Sequence, residues 1–521
     1  MPQYAAVDLG SNSVRLLVAE VAPGSPHGKG NQTPKLTRLA EDRQVTRVGA
    51  SVFHSGIVSP EAMTEACAVL ERMRATWQKF DVLGIRAVAT SATRDAGNQA
   101  EFIERASAAI GAPVEIISGQ EEARLIHLGV ECVWPHPKEQ VLMVDVGGGS
   151  AEVIVAESGR LAAAWSRPLG SVRLQETFLQ SDPPTKIELH RLREFIEEKL
   201  AVAMPRLRGR QFQRVIGTSA SASAMVSAVH RITRPKRDQA DRLRATTAQV
   251  RRLYKELTQK TLDERRKVTG IGPRRAEIII PGVAVFLAIL ETLNLPAIHY
   301  CAAGLRDGLV ADLAERRGGR DTAQLSREQK AVVEAVARRF GVDLRHARKL
   351  AEFGRGLFAS LEPLHRLPPY FGKLLEAACY LYDIGHFISD TSHHKHSQYI
   401  VSNSDLAGFT DSERHLIAQL CRYHRKAMPN QRHSDFQVLG PENRRALLLL
   451  IPLLRLVDGL DRSRAQRVDS VTCDLSGADV VLRLRSNMDT DLEQWAVERV
   501  ADPFRQVYQR GLAVSVSKEG R

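Results

Sequence analysis

Val-Leu-Met-Val-Asp-Val-Gly-Gly-Gly-Ser-Ala-Glu-Val-Ile-Val, residues 141–155, decides how this chain is read. Two β-branched runs, Val141–Val146 and Val153–Val155, flank Gly147, Gly148, Gly149 and Ser150, so the stretch predicts a hairpin whose turn carries almost no side chain. Consecutive bare amides form a nest for phosphate oxygens; a flexible turn explains the same glycines. Asp145 enters the turn and Glu152 leaves it, which sets two hard carboxylates beside the nest, the donors that Mg²⁺ takes. The stretch then recurs. Asp-Leu-Gly-Ser-Asn-Ser-Val-Arg-Leu-Leu-Val-Ala-Glu (8–20) aligns without a gap on residues 145–157, with Asp, Gly, Ser, Val, Ala and Glu coinciding. A duplicated strand-turn-strand predicts two similar α/β lobes facing each other, with both turns on the phosphates of one ligand.

A chain of 521 residues is too long for one core and predicts three or four folding units. With 43% hydrophobic and 26% charged residues the composition is that of a soluble globular protein, neither disordered nor fibrous. The longest apolar run, Ile278–Leu290, is interrupted by Pro281 and Gly282 and falls short of the roughly 20 residues a bilayer requires, so no membrane span is expected. No secretory signal precedes the first strand, and the six cysteines are scattered without a C-x-x-C pair, which together predict a cytoplasmic chain with reduced thiols.

A net charge of +13 implies a polyanionic partner or a solubilising surface. The basic clusters Arg206/Arg208/Arg210, Arg265/Arg266/Lys267, Arg274/Arg275, Arg316/Arg317/Arg320 and Arg338/Arg339 each read as a solvated face, and only their sum points to a polyanion. Nucleic acid is not expected, because no basic stripe is interleaved with aromatics and aromatic residues make up only 5% of the chain.

Along the chain, Ser11, Asn12 and Ser13 offer donors to an anion or make an ordinary turn. Pro23–Pro34 reads as a loop, Pro60–Phe80 as an amphipathic helix started by Ser59-Pro60, Val82–Ala89 as a strand and Gln99–Ile110 as a helix. Arg94, just beyond a strand's C-terminal end, is a phosphate-clamp candidate or the partner of Asp95. After strand Val114–Ile117, the run Ser118-Gly-Gln-Glu-Glu opens a helix reaching about Cys132. Capping and the helix dipole explain one of its glutamates, and the second is free to act as a general base on water.

The blocks 6–13, 90–94, 117–126, 144–152, Gly-Thr-Ser-Ala-Ser (217–221) and Arg-Ala-Glu-Ile-Ile-Ile-Pro-Gly (275–282) together resemble the exopolyphosphatase and guanosine pentaphosphate phosphohydrolase family, within the actin and sugar-kinase superfamily. The resemblance implies two ribonuclease H-like lobes and hydrolytic removal of a terminal phosphate with Mg²⁺. Carried over to this chain, it implies Glu122 as general base and Asp145 and Glu152 as metal ligands. Phosphate contacts would come from Ser11, Asn12, Ser13, Arg94, Gly147, Gly148, Gly149, Ser150, Thr218 and Ser219. Ala220 stands where the family has a second glycine, which puts that turn in question if it needs φ > 0.

Lys186–Leu207, Ser219–Val229 and Pro281–Leu293 read as helices, Val215–Gly217 as a strand and Gly318-Gly319 as a linker. Helices then dominate: Ser326–Phe340, Asp343–Leu361, Gly372–Tyr382, Asp411–His424 and Arg444–Ser463. Tyr382-Asp383-Ile384-Gly385-His386, with His396, His424 and Asp458–Asp461, resembles the HD phosphohydrolase fold with Tyr382 in place of the paired histidine, so no catalytic metal is expected there. His393, His394 and His396 read as surface histidines or a polyanion-binding edge, and Val468–Arg485 with Leu492–Arg510 as a small α/β end.

The fold expected is thus α/β: ribonuclease H-like lobes over 1–128 and 129–317, an all-α HD-like domain over 321–465 and a small α/β module over 466–521. The expected function is a Mg²⁺-dependent exopolyphosphatase acting on inorganic polyphosphate, a cytoplasmic homodimer without membrane partners whose basic helical part guides the chain to the cleft. Guanosine pentaphosphate 5′-phosphohydrolase, binding pppGpp or ppGpp, is the alternative within the same chemistry. A non-catalytic polyphosphate or alarmone sensor is disfavoured by the trio Glu122, Asp145 and Glu152, and an HD-type nucleotidase by Tyr382.

Overall fold

Each copy of the repeat opens a sheet. β1 (Gln3–Leu9) and β2 (Ser13–Ala22) pair antiparallel, and β3 (Lys35–Val45) extends the hairpin. β4 (Val82–Ala89) and β5 (Val114–Ile116) add in parallel on the other side of β1, giving the order β3-β2-β1-β4-β5. β6 (Gln140–Val146), β7 (Ala151–Glu157) and β8 (Arg160–Arg167) repeat the antiparallel start, and β9 (Arg214–Thr218) runs parallel to β6. β10 (Arg244–Thr246) and β11 (Ala297–Tyr300) close the second sheet in the order β10-β11-β9-β6-β7-β8. The computed structural model describes residues 1–22, 34–317, 323–475 and 477–517. Except for Pro34, the loop expected over Pro23–Pro34 lies outside these residues, as does the Gly318-Gly319 linker.

The two hairpins are closed by the same bond: Gly10 N–H donates to Ser13 O at 3.2 Å and Gly147 N–H to Ser150 O at 3.0 Å. The turn carbonyls are taken by the starts of two short helices, Val48–Ser55 and Ser171–Phe178. Gly49 N–H donates to Ser11 O at 2.6 Å, and Val172 N–H to Gly148 O at 2.9 Å. The repeat is therefore longer than the aligned sequences, comprising three strands and a helix, and the two helices pack on each other. β3 escapes sequence reading because, with Arg38, Glu41, Asp42 and Arg43 among its residues, it is a charged edge strand.

Helix Gly119–Val133 packs on β7 and β8, and helix Leu305–Arg317 on β1, β2 and β4. They cross in backbone contact: a Cβ on Gly308 would lie 1.8 Å from Leu125 O, and one on Gly129 2.1 Å from Gly304 O. Beside the crossing, Arg124 donates to Glu121 at 2.8 Å and to Asp312 at 2.6 Å, and Arg86 donates to Asp312 at 2.7 Å. Buried charges persist only when paired in this way. The expected helix Lys186–Leu207 is interrupted: it ends at Ala201, and Met204–Leu207 forms a separate turn begun by Pro205, which lacks the N–H needed to continue.

Residues 1–318 and 319–521 form two compact units. In the second, helices Arg327–Arg339, Leu344–Ser360, Tyr370–Leu381, His393–Ser402, Asp411–Tyr423 and Pro441–Leu460 surround a core that includes Phe353, Leu374, Leu420 and Leu450. Ser326/Gln329 and Thr410/Glu413 close capping boxes at two helix starts. β12 (Ser470–Asp474), β13 (Val480–Arg485) and β14 (Leu512–Ser517) form a three-stranded sheet whose Leu482 joins that core. The single helix expected over Leu492–Arg510 is two, Asp491–Glu498 and Ala501–Tyr508, because Pro503 cannot bond the Arg499 carbonyl. His393 and His394 are buried rather than surface residues, since the helix that carries them packs on helix Asp411–Tyr423. No helix among the described residues is long and apolar enough to cross a membrane.

Candidate active site

The opposed turns meet. A Cβ on Gly149 would sit 2.6 Å from both Ser11 Oγ and Ser91 Oγ and 2.7 Å from the Phe53 ring, and one on Gly148 3.1 Å from Asn12 N. None of the three turn glycines has positive φ, so close approach, not backbone freedom, is what requires glycine here. The turn carbonyls face the helices, and the N–H groups of Gly148 and Gly149 have no protein acceptor among the described residues. They line a cavity of about 180 Å³ together with Ser11, Asn12, Ser13, Gly147 and Ser150.

Acids occupy one side. Asp145 and Glu152 face each other across the hairpin as register partners. Thr218 is fully buried behind the cavity and donates its hydroxyl to Asp145, so it holds that carboxylate rather than meeting a ligand. Ser166 donates to Glu152 Oε1 at 2.8 Å; Glu152 is itself fully buried, and burial followed by the Asp145 charge pushes it up to about 8. Burial raises Asp145 and Asp8 too. Glu122, in the first turn of helix Gly119–Val133, is held well above the usual carboxylate range by burial and then by Glu152.

The two neighbouring glutamates have different surroundings. Ser118 caps the helix and Glu121 is consumed by the arginines at the crossing, whereas Glu122 lines the cavity with Oε2 unpaired. Asp8 Oδ1 and Glu152 Oε2 are likewise buried without a partner. Hard, partnerless carboxylate oxygens packed until they resist ionisation are donors suited to a divalent cation. Mg²⁺ needs only one or two carboxylates, with phosphate oxygens and waters completing its shell; Asp145, which lines the cavity, and Glu152, buried beside it, could supply them.

Arginines occupy the other side. Arg15, Arg43, Arg237, Arg275 and Arg306 line the cavity, and Arg43, Arg237 and Arg275 continue into an adjoining chamber of about 420 Å³ walled also by Arg234 and Arg274. None of these five chamber arginines has a carboxylate partner among the described residues. Burial, with Arg15, Arg275, Arg237 and Arg306 around it, brings Arg43 down to about 8, and burial beside Arg15 and Arg237 brings Arg275 to about 9. A guanidinium keeps its proton in proteins, so the shift reflects first the cost of burying these charges and then their mutual repulsion, both of which a bound anion offsets.

Besides Thr218, Arg94 is placed differently from expectation, whereas Ser219 lines the cavity. Arg94 does not line the cavity and does not pair with Asp95, which takes Arg173 instead; its guanidinium donates to Ile117 O at 2.5 Å, and its charge favours the ionised forms of Glu122 and Glu152. Left-handed backbone falls on Ser219, at φ 78°, and not on Ala220, so the alanine there is unstrained. Ser219 Oγ donates to Val146 O at 2.9 Å and ties the two turns of the second sheet together. Of the arginines lining the cavity and chamber, only Arg274 and Arg275 form a cluster visible in the sequence, read there as a solvated face; the others come from four separate segments. For Arg15 a signal existed: the repeat sets it where Glu152 stands in the second copy.

Paired sheets with acids and arginines about opposed turns define a mixed α/β fold of the actin-like ATPase type. The model of the Ppx/GppA phosphatase family matches residues 21–317, more than half of the chain, and that of Ppx/GppA phosphatase domain III matches residues 329–499. The chain belongs to the Ppx/GppA phosphatase family. Among solved structures, the Aquifex aeolicus family member is 28% identical over 61% of this chain and 99% of its own, with a TM-score of 0.52. An exopolyphosphatase-like protein is 26% identical over 61% and 99%, with a TM-score of 0.56. An exopolyphosphatase from Cytophaga hutchinsonii, 23% identical over 60% and 98%, shares the fold at a TM-score of 0.54.

Proposed function

We propose that this chain is a Mg²⁺-dependent exopolyphosphatase, releasing orthophosphate from the end of inorganic polyphosphate. On this reading 1–128 and 129–317 are ribonuclease H-like lobes, 321–465 an HD-like domain and 466–521 a small α/β module. The observation that carries the choice of substrate is the chamber behind the acids: five arginines, no carboxylate and no aromatic face. Guanine would want a stacking surface or an acceptor for its amino group, whereas a chain of phosphates wants only guanidinium forks.

In the reaction, the terminal phosphate lies against the N–H groups of Gly148 and Gly149 and the turn at Ser11–Ser13, with the following phosphates among Arg43, Arg237 and Arg275. Glu122 orients a water in line with the terminal phosphorus and takes its proton as the P–O bond forms. The bridging P–O bond breaks, giving orthophosphate and a chain one unit shorter. Burial beside Glu152 raises Glu122 above the ordinary carboxylate range, which makes it a stronger base for that transfer. Thr218 and Ser166 hold Asp145 and Glu152 in orientation. A divalent cation on those two carboxylates supplies charge neutralisation of the transferred group. The reading carries with it a cytoplasmic homodimer without membrane or nucleic-acid partners, for which six free cysteines and family kinship are the support.

Steady-state phosphate release from long-chain polyphosphate and from guanosine pentaphosphate, each with Mg²⁺ and with EDTA, tests this. The expected result is a higher kcat/KM on polyphosphate and dependence on Mg²⁺ for both. A higher kcat/KM on guanosine pentaphosphate would overturn the assignment.

A further inference from the structure

Tyr382, standing where the paired histidine was expected, donates to Asp458 Oδ1 at 2.8 Å, and His346 is bound to Asp461 Oδ2 at 2.7 Å. Next to this pair, three other ligand atoms converge. Asp383 Oδ1 lies 3.1 Å from His386 Nε2 and 3.4 Å from His393 Nε2, and the donor atoms of these three residues fall within 4.8 Å of one another. Both rings are oriented from behind: His386 Nδ1 is 2.6 Å from Asp390 Oδ1, and His393 Nδ1 is 3.3 Å from the Asp390 carbonyl. Arg425 Nη1 also lies 3.3 Å from His393 Nδ1 and Arg464 donates to Asp383 Oδ2, so arginines flank the cluster while His393 Nε2 faces Asp383. His424 Nδ1–H donates to Cys421 O at 2.7 Å, leaving Nε2 facing His393 Nε2 at 3.2 Å.

These potential ligand atoms thus converge at 3.1 to 3.4 Å. Ligands about 2.0–2.2 Å from a tetrahedral metal are about 3.3–3.6 Å apart, so the spacing is that of a coordination shell. Histidines backed by a carboxylate or carbonyl on the far nitrogen are the usual support for such ligands. The packing that produces this is specific: a Cβ on Gly385 would lie 2.0 Å from His393 O, so only glycine lets the Asp383–His386 turn meet helix His393–Ser402. A cavity of about 170 Å³ opens beside the cluster, lined by His346, Tyr382, Asp383, His386 and Arg464.

We propose that Asp383, His386 and His393 form a site for one divalent transition-metal ion, with His424 Nε2 at its edge and an open coordination position toward this cavity. Two imidazoles and one carboxylate select Zn²⁺, Mn²⁺, Fe²⁺ or Co²⁺ over Mg²⁺, whose ligands are oxygens. The site keeps Asp383 of the His-Asp pair whose histidine Tyr382 replaces and takes its imidazoles from His386 and His393 instead, and the expectation of no catalytic metal in this segment was framed on the missing histidine.

The test uses the full chain in its Glu152→Gln form, which weakens the carboxylate site of the first unit. The metal-free protein is titrated with Co²⁺ alone, following the visible d–d absorption, and with Zn²⁺ alone by calorimetry. The expected result is one tight equivalent per chain with a spectrum of low-coordinate cobalt, weakened at least 10-fold by His386→Gln. His386 is partly exposed, so that variant keeps its fold, and circular dichroism checks it. Equal affinity in the two proteins, or no binding of either ion below millimolar, would overturn the proposal and leave His386 as an imidazolium shared between Asp383 and Asp390.

Discussion

Glu122 and Glu152 are acids whose proton the folded chain holds more tightly than the unfolded chain does. For such a group the folded pKa lies above the unfolded one, so its contribution to stability is complete below the ordinary value and is lost as pH rises through the folded value. Glu152 goes from 4.5 to about 8, and Glu122, Asp145 and Asp8 shift in the same direction. Metal-free protein should therefore lose stability, on the order of a few kcal/mol, as pH rises from about 4.5 to 8. Thermal melts in EDTA across that window check it; Glu152→Gln should flatten the slope and Mg²⁺ should oppose it. At Ala220 the expectation is neutrality. Since the left-handed residue is Ser219, Ala220→Gly should leave KM for polyphosphate unchanged within about twofold, where the sequence alone left the turn in question.

The elements that matter most are the paired turns and the crossed helices. Gly149→Ala places a methyl inside van der Waals contact with Ser11, Ser91 and Phe53, and Gly308→Ala places one against Leu125 O. Overpacking of this kind costs about 1–3 kcal/mol or more. Gly149→Ala should lower both the melting temperature and kcat/KM, because it pries the two nests apart, and Gly308→Ala should show its larger effect in the melt. At this scale the hairpins were legible, since an ungapped repeat of β-branched runs about a small-residue turn has few other readings. β3 and the helices Val48–Ser55 and Ser171–Phe178 were not, because one is a charged edge strand and the helices are held by turn carbonyls rather than by a long apolar face. Helix breaks at Pro205 and Pro503 were visible as prolines and were passed over in favour of apolar periodicity.

At the scale of the molecule, the net charge of +13 was known from composition, yet its functional part was not. Arg43, Arg234, Arg237, Arg274 and Arg275 come from an edge strand and from loops and short turns, and only folding collects them into one chamber. Removing Arg237 should raise KM for long-chain polyphosphate about tenfold or more, with a smaller change in kcat, and should flatten the dependence of KM on salt; steady-state kinetics between low and high ionic strength measure both. The central claim is that Glu122, unpaired beside two carboxylates, activates the attacking water. Phosphate release from long-chain polyphosphate by wild type and Glu122→Gln at saturating Mg²⁺ tests it most directly. A fall in kcat of about 10²–10⁴-fold with polyphosphate still bound is the expected result, and equal rates in the two proteins would contradict it.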